Sequence, residues 1–262
     1  MTICIAGMHR SGTSMITRLL NLCGLYLGAE NELSPAAMDN EAGFWENWHF
    51  VSLNEDILAH FGGGWDLPPA MPEGWETHDE MLPFRQTATE LIRRFTPHTL
   101  WGWKDPRNSI LLPFWKRLIP DLKILVCIRN PLEVVQSLSK RAYSSYHFSM
   151  NLWRTYYQRL LSDTLPTERV VTHYDSYFHS PQAELRRVLK SLNIPVSSKI
   201  IDQACATISE QLRHSTITNQ GLSESKIPSD VLDIYLMLCD EARRSWNTNA
   251  IVKTLKTLAR FK

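Results

Sequence analysis

The first fourteen residues constrain this chain more than any other stretch. Ile3-Cys4-Ile5-Ala6 is an apolar run that passes directly into Gly7-Met8-His9-Arg10-Ser11-Gly12-Thr13-Ser14. Two glycines separated by four residues, then two hydroxyl residues and a helical apolar pattern, reproduce the frame G-x-x-x-x-G-K-[ST] of a phosphate-binding loop. Thr13 occupies the lysine slot, and the loop's cation is Arg10. A strand feeding such a turn aims successive backbone N–H groups at one point, where the positive end of the following helix also favours an anion. Gly7 and Gly12 allow a close approach that a Cβ would block. Arg10 adds a planar, permanently charged fork, and Ser11, Thr13 and Ser14 add hydroxyl donors. Met15, Ile16, Leu19, Leu20 and Cys23 recur at helical spacing, so a buried helix is predicted directly after the loop. The bland alternative is a strand–turn–helix connection whose glycines only shape the turn. The geometry reads as phosphate, and the missing lysine argues against an ordinary ATPase.

Length and charge narrow the rest. A chain of 262 residues fits one large α/β domain spanning 1–262. Twenty-eight Lys and Arg against 27 Asp and Glu leave a net charge of +1, which gives no basis for bulk nucleic-acid binding. The five cysteines are scattered through apolar segments with no C-x-x-C pair, as expected for reduced thiols in a cytoplasmic protein. No apolar run approaches membrane-spanning length, and the start lacks the basic region and cleavage site of a signal peptide.

Periodicity predicts helices over roughly Trp45–His60, Asp79–Phe95, Pro113–Leu118, Pro131–Arg141, Phe148–Ser162 and Pro181–Leu192. Strands are predicted at Thr99–Lys104, Lys123–Arg129 and Arg169–Tyr174, with Gly62-Gly63-Gly64 and Pro68–Glu73 as exposed loop. Asn130 is placed to cap the helix that Pro131 opens. Strands alternating with helices imply a parallel sheet covered on both faces, with ligands beyond the strands' carboxyl ends. Lys104 and Arg129 would emerge there beside the first loop.

A second anion site completes the pattern. Leu125-Val126-Cys127-Ile128-Arg129-Asn130-Pro131 ends a buried strand in an arginine and enters a helix that carries Ser137. Alone, Arg129 could be a strand-end arginine in a surface ion pair. Together with the first loop, it resembles the PAPS-dependent sulfotransferases of the bacterial type, PAPS being 3′-phosphoadenosine-5′-phosphosulfate. The family's first motif, Gly-x-x-(Lys/Arg)-Ser-Gly-Thr-(Ser/Thr), falls on Gly7, Arg10, Ser11, Gly12, Thr13 and Ser14 and implies the 5′-phosphosulfate site. Its second, an Arg with a Ser eight residues on, falls on Arg129 and Ser137 and implies the 3′-phosphate site. Gly43-Phe44-Trp45-Glu46, Lys104-Asp105-Pro106-Arg107 and Tyr174-Asp175-Ser176-Tyr177-Phe178 resemble supporting segments of the same group. The Arg-Lys-Gly run that closes over the nucleotide in the cytosolic branch is missing; Arg213 and His214 stand in its place or form a solvated helix-end pair.

The resemblance implies transfer of a sulfuryl group to a hydroxyl, or in second place an amine, with PAP as product and no metal; no His, Cys and carboxylate cluster stands at ligand spacing. Arg10 and Lys104 are the expected cations at the departing phosphate. The histidine that some relatives carry two positions after this lysine is Pro106 here. The base is therefore sought among Glu46, His49 and Asp105. Glu46, set among aromatics, is the choice, while Asp105 could instead partner Lys104 or Arg107. Phe44, Trp45, Trp48, Trp65 and Trp75 suggest a carbohydrate, glycolipid or small-molecule acceptor, or else core packing. A small-molecule kinase and a non-catalytic nucleotide-binding protein are the rival readings.

Overall fold

Alternation along the strands divides the core in two. The computed structural model describes residues 1–35, 43–142, 144–209 and 227–243, so Arg213 and His214 lie outside it. In chain order the elements are β1 (Thr2–Ala6), α1 (Thr13–Leu22), α2 (Trp48–His60), α3 (Leu82–Phe95), β2 (Trp101–Lys104), α4 (Asn108–Leu118), β3 (Lys123–Ile128), α5 (Pro131–Ala142), α6 (Tyr146–Ser162), β4 (Arg169–His173), α7 (Ser176–His179), α8 (Pro181–Ser191), α9 (Ser198–Cys205) and α10 (Ser229–Glu241). The strands form one parallel sheet in the order β2-β1-β3-β4. Ile3, Ile5, Leu125 and Cys127 point to the face covered by α1, α8 and α9. Their neighbours Cys4, Ala6, Ile124, Val126 and Ile128 point the other way, into a larger core with α2, α3, α4, α6 and α10. Period-two alternation with both faces buried is why these strands read as unbroken apolar runs. The result is a single α/β domain.

Three predicted helix starts move by three residues or more. The helix expected from Trp45 begins at Trp48, because the Asn47 side chain caps it by accepting the N–H of His49 at 3.1 Å. Glu46 therefore lies just before α2. The segment expected to be helical from Asp79 opens as a 3₁₀ turn, Asp79–Met81, before α3. The helix expected from Pro113 begins five residues earlier, with Pro113 inside it. Asn108 anchors that start, donating to the Ile5 carbonyl at 3.2 Å and accepting from Trp103 Nε1 at 3.0 Å. Burial of Ile110, Leu111, Phe114 and Trp115 outweighs the lost backbone bond.

Register then fixes what meets at the carboxyl edge. Ile5 lies beside Lys104, Ala6 beside Val126, and Ile128 beside His173. Gly7, Lys104, Arg129 and Tyr174 accordingly leave neighbouring strands at one edge of the sheet.

Candidate active site

The loop after β1 is shaped by close approach. Gly7 has φ +139°, and a Cβ there would lie 2.4 Å from the Cys127 carbonyl oxygen. Gly12 has φ +81°, and its Cβ would strike the Tyr174 ring at 2.1 Å. Between them Arg10 adopts φ +69°, a left-handed conformation that costs a non-glycine residue roughly 1–2 kcal/mol. Gly12 offers α1 no side-chain cap, and the first turn holds no acidic residue. The opening N–H groups of that helix have no intrahelical acceptor, and the helix dipole adds positive potential at the same place.

Two side chains from elsewhere set the loop's height. Ser109 Oγ accepts the Gly7 N–H at 2.9 Å. The Tyr157 hydroxyl, fully buried on α6, accepts the Met8 N–H at 3.3 Å and donates to the Cys127 carbonyl at 2.7 Å. It also sits 3.1 Å from Ser11 Oγ. Burial pushes the Tyr157 phenol well above its ordinary pKa, despite the lowering contacts with Ser11 and Met8. One neutral hydroxyl thus joins the loop to the strand that ends in Arg129.

Arg129 is held on three sides. Its Nε donates to Glu133 Oε2 at 2.8 Å, one Nη donates to the Arg10 carbonyl at 3.2 Å, and its guanidinium lies 4.5 Å from the centre of the Tyr174 ring. Asn130 caps α5 by accepting the Leu132 N–H at 3.0 Å. Arg10 Nε donates to Ser137 Oγ at 2.8 Å. The structure therefore brings the loop arginine and the two residues of the second motif into one cluster. Below Tyr174, His173 Nδ1 accepts the Asp175 N–H at 3.1 Å; its Nε2 then carries the proton shared with the Tyr235 hydroxyl at 2.9 Å.

At the tip of β2, Lys104 is 2% exposed and its Nζ lies 2.5 Å from Glu46 Oε1. Glu46 is fixed in turn by its carbonyl, which accepts the Ser34 N–H at 2.7 Å. Asp105 is fully buried and faces the other way: it accepts from Asn54 Nδ2 at 2.8 Å and from the Arg107 N–H and guanidinium at 2.9 Å each. Burial alone would lower the pKa of Arg107, but Asp105 and Glu55 hold it above its ordinary value. Asn54 and Asn108 complete this network, taking up the indole N–H groups of Trp115 and Trp103. His49 belongs to a different cluster, stacked on Trp48 with its Nε2 3.4 Å from Glu32 and 3.1 Å from Arg94.

Of the aromatics, Trp75 is core, Trp48 is half exposed, and Trp65 lies 4.7 Å, ring to ring, from His9. His9, Ser109, Glu133 and Tyr157 were not singled out by sequence reasoning. His9 occupies a variable position of the loop frame, and Glu133 sits one helical turn after Arg129. Ser109 and Tyr157 carry no local signal, since their partners lie 102 and 149 residues away.

A glycine loop at the tip of a central parallel strand, with guanidiniums from two neighbouring turns, defines a P-loop-like α/β protein. The sulfotransferase family profile matches residues 2–198, and the chain belongs to that family. The sulfotransferase domain from the curacin biosynthetic pathway superposes with a TM-score of 0.56 at 18% identity, covering 90% of this chain and 96% of that one. The sulfotransferase domain from the Synechococcus PCC 7002 olefin synthase gives 0.55 at 14% identity, covering 91% and 94%. A Caenorhabditis briggsae protein named "Putative protein-tyrosine sulfotransferase" is 22% identical over 214 residues, 76% of this chain and 68% of that protein. Among the described residues no helix is long and apolar enough to cross a membrane, and no group of three His, Cys, Asp or Glu could hold a metal ion.

Proposed function

We propose that this chain transfers a sulfuryl group from PAPS to a hydroxyl of a carbohydrate, glycolipid or small-molecule acceptor. The observation that carries this reading is the contact between the first loop and the second motif, Arg10 with Ser137 at 2.8 Å and Arg129 with the Arg10 carbonyl at 3.2 Å. A nucleotide with phosphates on both its 3′ and 5′ positions needs two anion sites side by side. The residues fit that donor: a backbone cradle closed to any Cβ at Gly7 and Gly12, with N–H, hydroxyl and guanidinium donors suited to phosphate and sulfate oxygens. In this reading Gly7, Arg10, Ser11, Gly12, Thr13 and Ser14 hold the 5′-phosphosulfate, and Arg129 with Ser137 holds the 3′-phosphate.

PAPS supplies the activated sulfuryl group; the protein supplies position and charge. Lys104, buried and held by Glu46, provides fixed positive charge at the strand tip. Glu46 takes the proton of the acceptor hydroxyl. Asp105, with both carboxylate oxygens committed to Asn54 and Arg107, acts by holding the β2 tip in place.

Calorimetry with PAP and ATP, repeated in Arg129→Ala, tests the donor. PAP is expected to bind far more tightly than ATP and to lose about a hundredfold in the variant, the scale of truncating a buried charge contact. Equal affinity for ATP, strictly dependent on Mg²⁺, would favour a kinase instead. PAP binding without transfer to any acceptor would leave a non-catalytic binder. Labelled PAPS offered to sugars, glycolipids, small alcohols and a tyrosine peptide tests the acceptor; transfer to the peptide alone would overturn the acceptor class.

A further inference from the structure

Arg129 is surrounded by more negative character than a phosphate-gripping arginine requires. Its Nε is committed to Glu133, whose side chain is fully buried, at 2.8 Å, and the arginine's own side chain is 8% exposed. One Nη serves the Arg10 carbonyl, and the π-face of Tyr174 covers the guanidinium. An arginine keeps its proton at any ordinary pH, so this buried charge needs a buried counter-charge when no ligand is present. Glu133 is itself favoured where it lies, in the first turn of α5, where the helix dipole attracts an anion.

A doubly charged phosphate arriving at Arg129 meets a cation already neutralised. Resting on the PAPS reading above, we propose that Glu133 is a positioning residue and built-in competitor: it orients the Arg129 fork and, as a second anion on the same guanidinium, weakens the hold on the 3′-phosphate so that the spent nucleotide leaves. The carboxylate and the phosphate are thus negatively coupled through one side chain. The hydrogen bond and the negative charge have separable effects, because a glutamine keeps an acceptor oxygen at the same reach and removes the charge.

The test is calorimetry of PAP and of adenosine 5′-phosphate on the wild-type chain, Glu133→Gln and Glu133→Asp. Glu133→Gln is expected to bind PAP about tenfold more tightly, with a slower off-rate in stopped flow, and to bind adenosine 5′-phosphate unchanged. Glu133→Asp, which keeps the charge, is expected to show no tightening. A purely structural role predicts weaker PAP binding in both variants, and that result, or unchanged affinity in Glu133→Gln, overturns the proposal. Equal tightening of both nucleotides overturns it as well, since the effect would not act through the 3′-phosphate. A Glu133→Gln chain that folds only with PAP present, or stays unfolded at saturating PAP, shows that the carboxylate serves the fold alone and overturns the proposal as well. Failure of the wild-type chain to bind PAP would remove the donor reading itself, whatever the variants do.

Discussion

In the proposed reading, individual side chains at the edge divide into those that meet the nucleotide and those that hold them in place. Lys104 and Glu46 are an intimate ion pair, so removing either leaves the other partly buried and uncompensated. Glu46→Gln is expected to cut turnover by roughly a hundredfold or more, the range of a lost general base, while PAP affinity stays within a few-fold. Lys104→Ala is expected to cost turnover on the scale of one lost transition-state donor, about a hundred- to a thousandfold. Steady-state rates beside PAP titrations read both, and near-normal turnover in Glu46→Gln would eliminate it as the base. The motif residues were legible in the sequence because glycine spacing, hydroxyls and a strand-end arginine are local patterns. The ammonium partner of Glu46 was not, since 58 residues separate the pair. Nor was the bond from Arg10 to Ser137, made across 127 residues.

Secondary-structure elements place those side chains through a few capping and hub contacts. Tyr157 on α6 ties the loop to β3, so Tyr157→Phe strands the Met8 N–H and the Cys127 carbonyl without that oxygen. The expected cost is about 2 kcal/mol, or about 4–8 °C in Tm for a chain of this size, measured by thermal unfolding without ligand. The start of α2 depends on Glu32. Burial opposes its charge, but the Ala29 N–H, Asn47 and Arg94 together hold its pKa below the ordinary 4.5. A depressed carboxylate stabilises the fold fully above that ordinary value and loses its contribution as pH falls through the folded-state value. The stability advantage of the wild-type chain over Glu32→Gln should therefore hold at neutral pH and shrink below about pH 4.5. Element type was readable because the strands are short apolar runs bounded by loop signals, while the helices keep a period of 3.6. Where boundaries slipped, a distant partner decided: the Ile5 carbonyl and Trp103 extend α4 through Pro113.

Across the whole molecule, parallel strands give the sheet a polarity that gathers the loop, Lys104, Arg129 and Tyr174 at one end. The strand order itself, β2-β1-β3-β4, had no sequence signal, since pairing partners are chosen by packing rather than by local pattern. The opposite end of the sheet suits a different use. Lys123 opens β3 there and is exposed. All five thiols are buried, and burial raises the pKa values of Cys4, Cys23, Cys127 and Cys205, keeping them protonated and slow to react. Lys123→Cys should thus be the one site where a maleimide dye or tether couples to the folded chain. Mass spectrometry should find one adduct on the variant and none on the native protein. A chain anchored to a bead through that position would turn the carboxyl ends of its strands outward to the solution, ready to be washed, titrated and read in place.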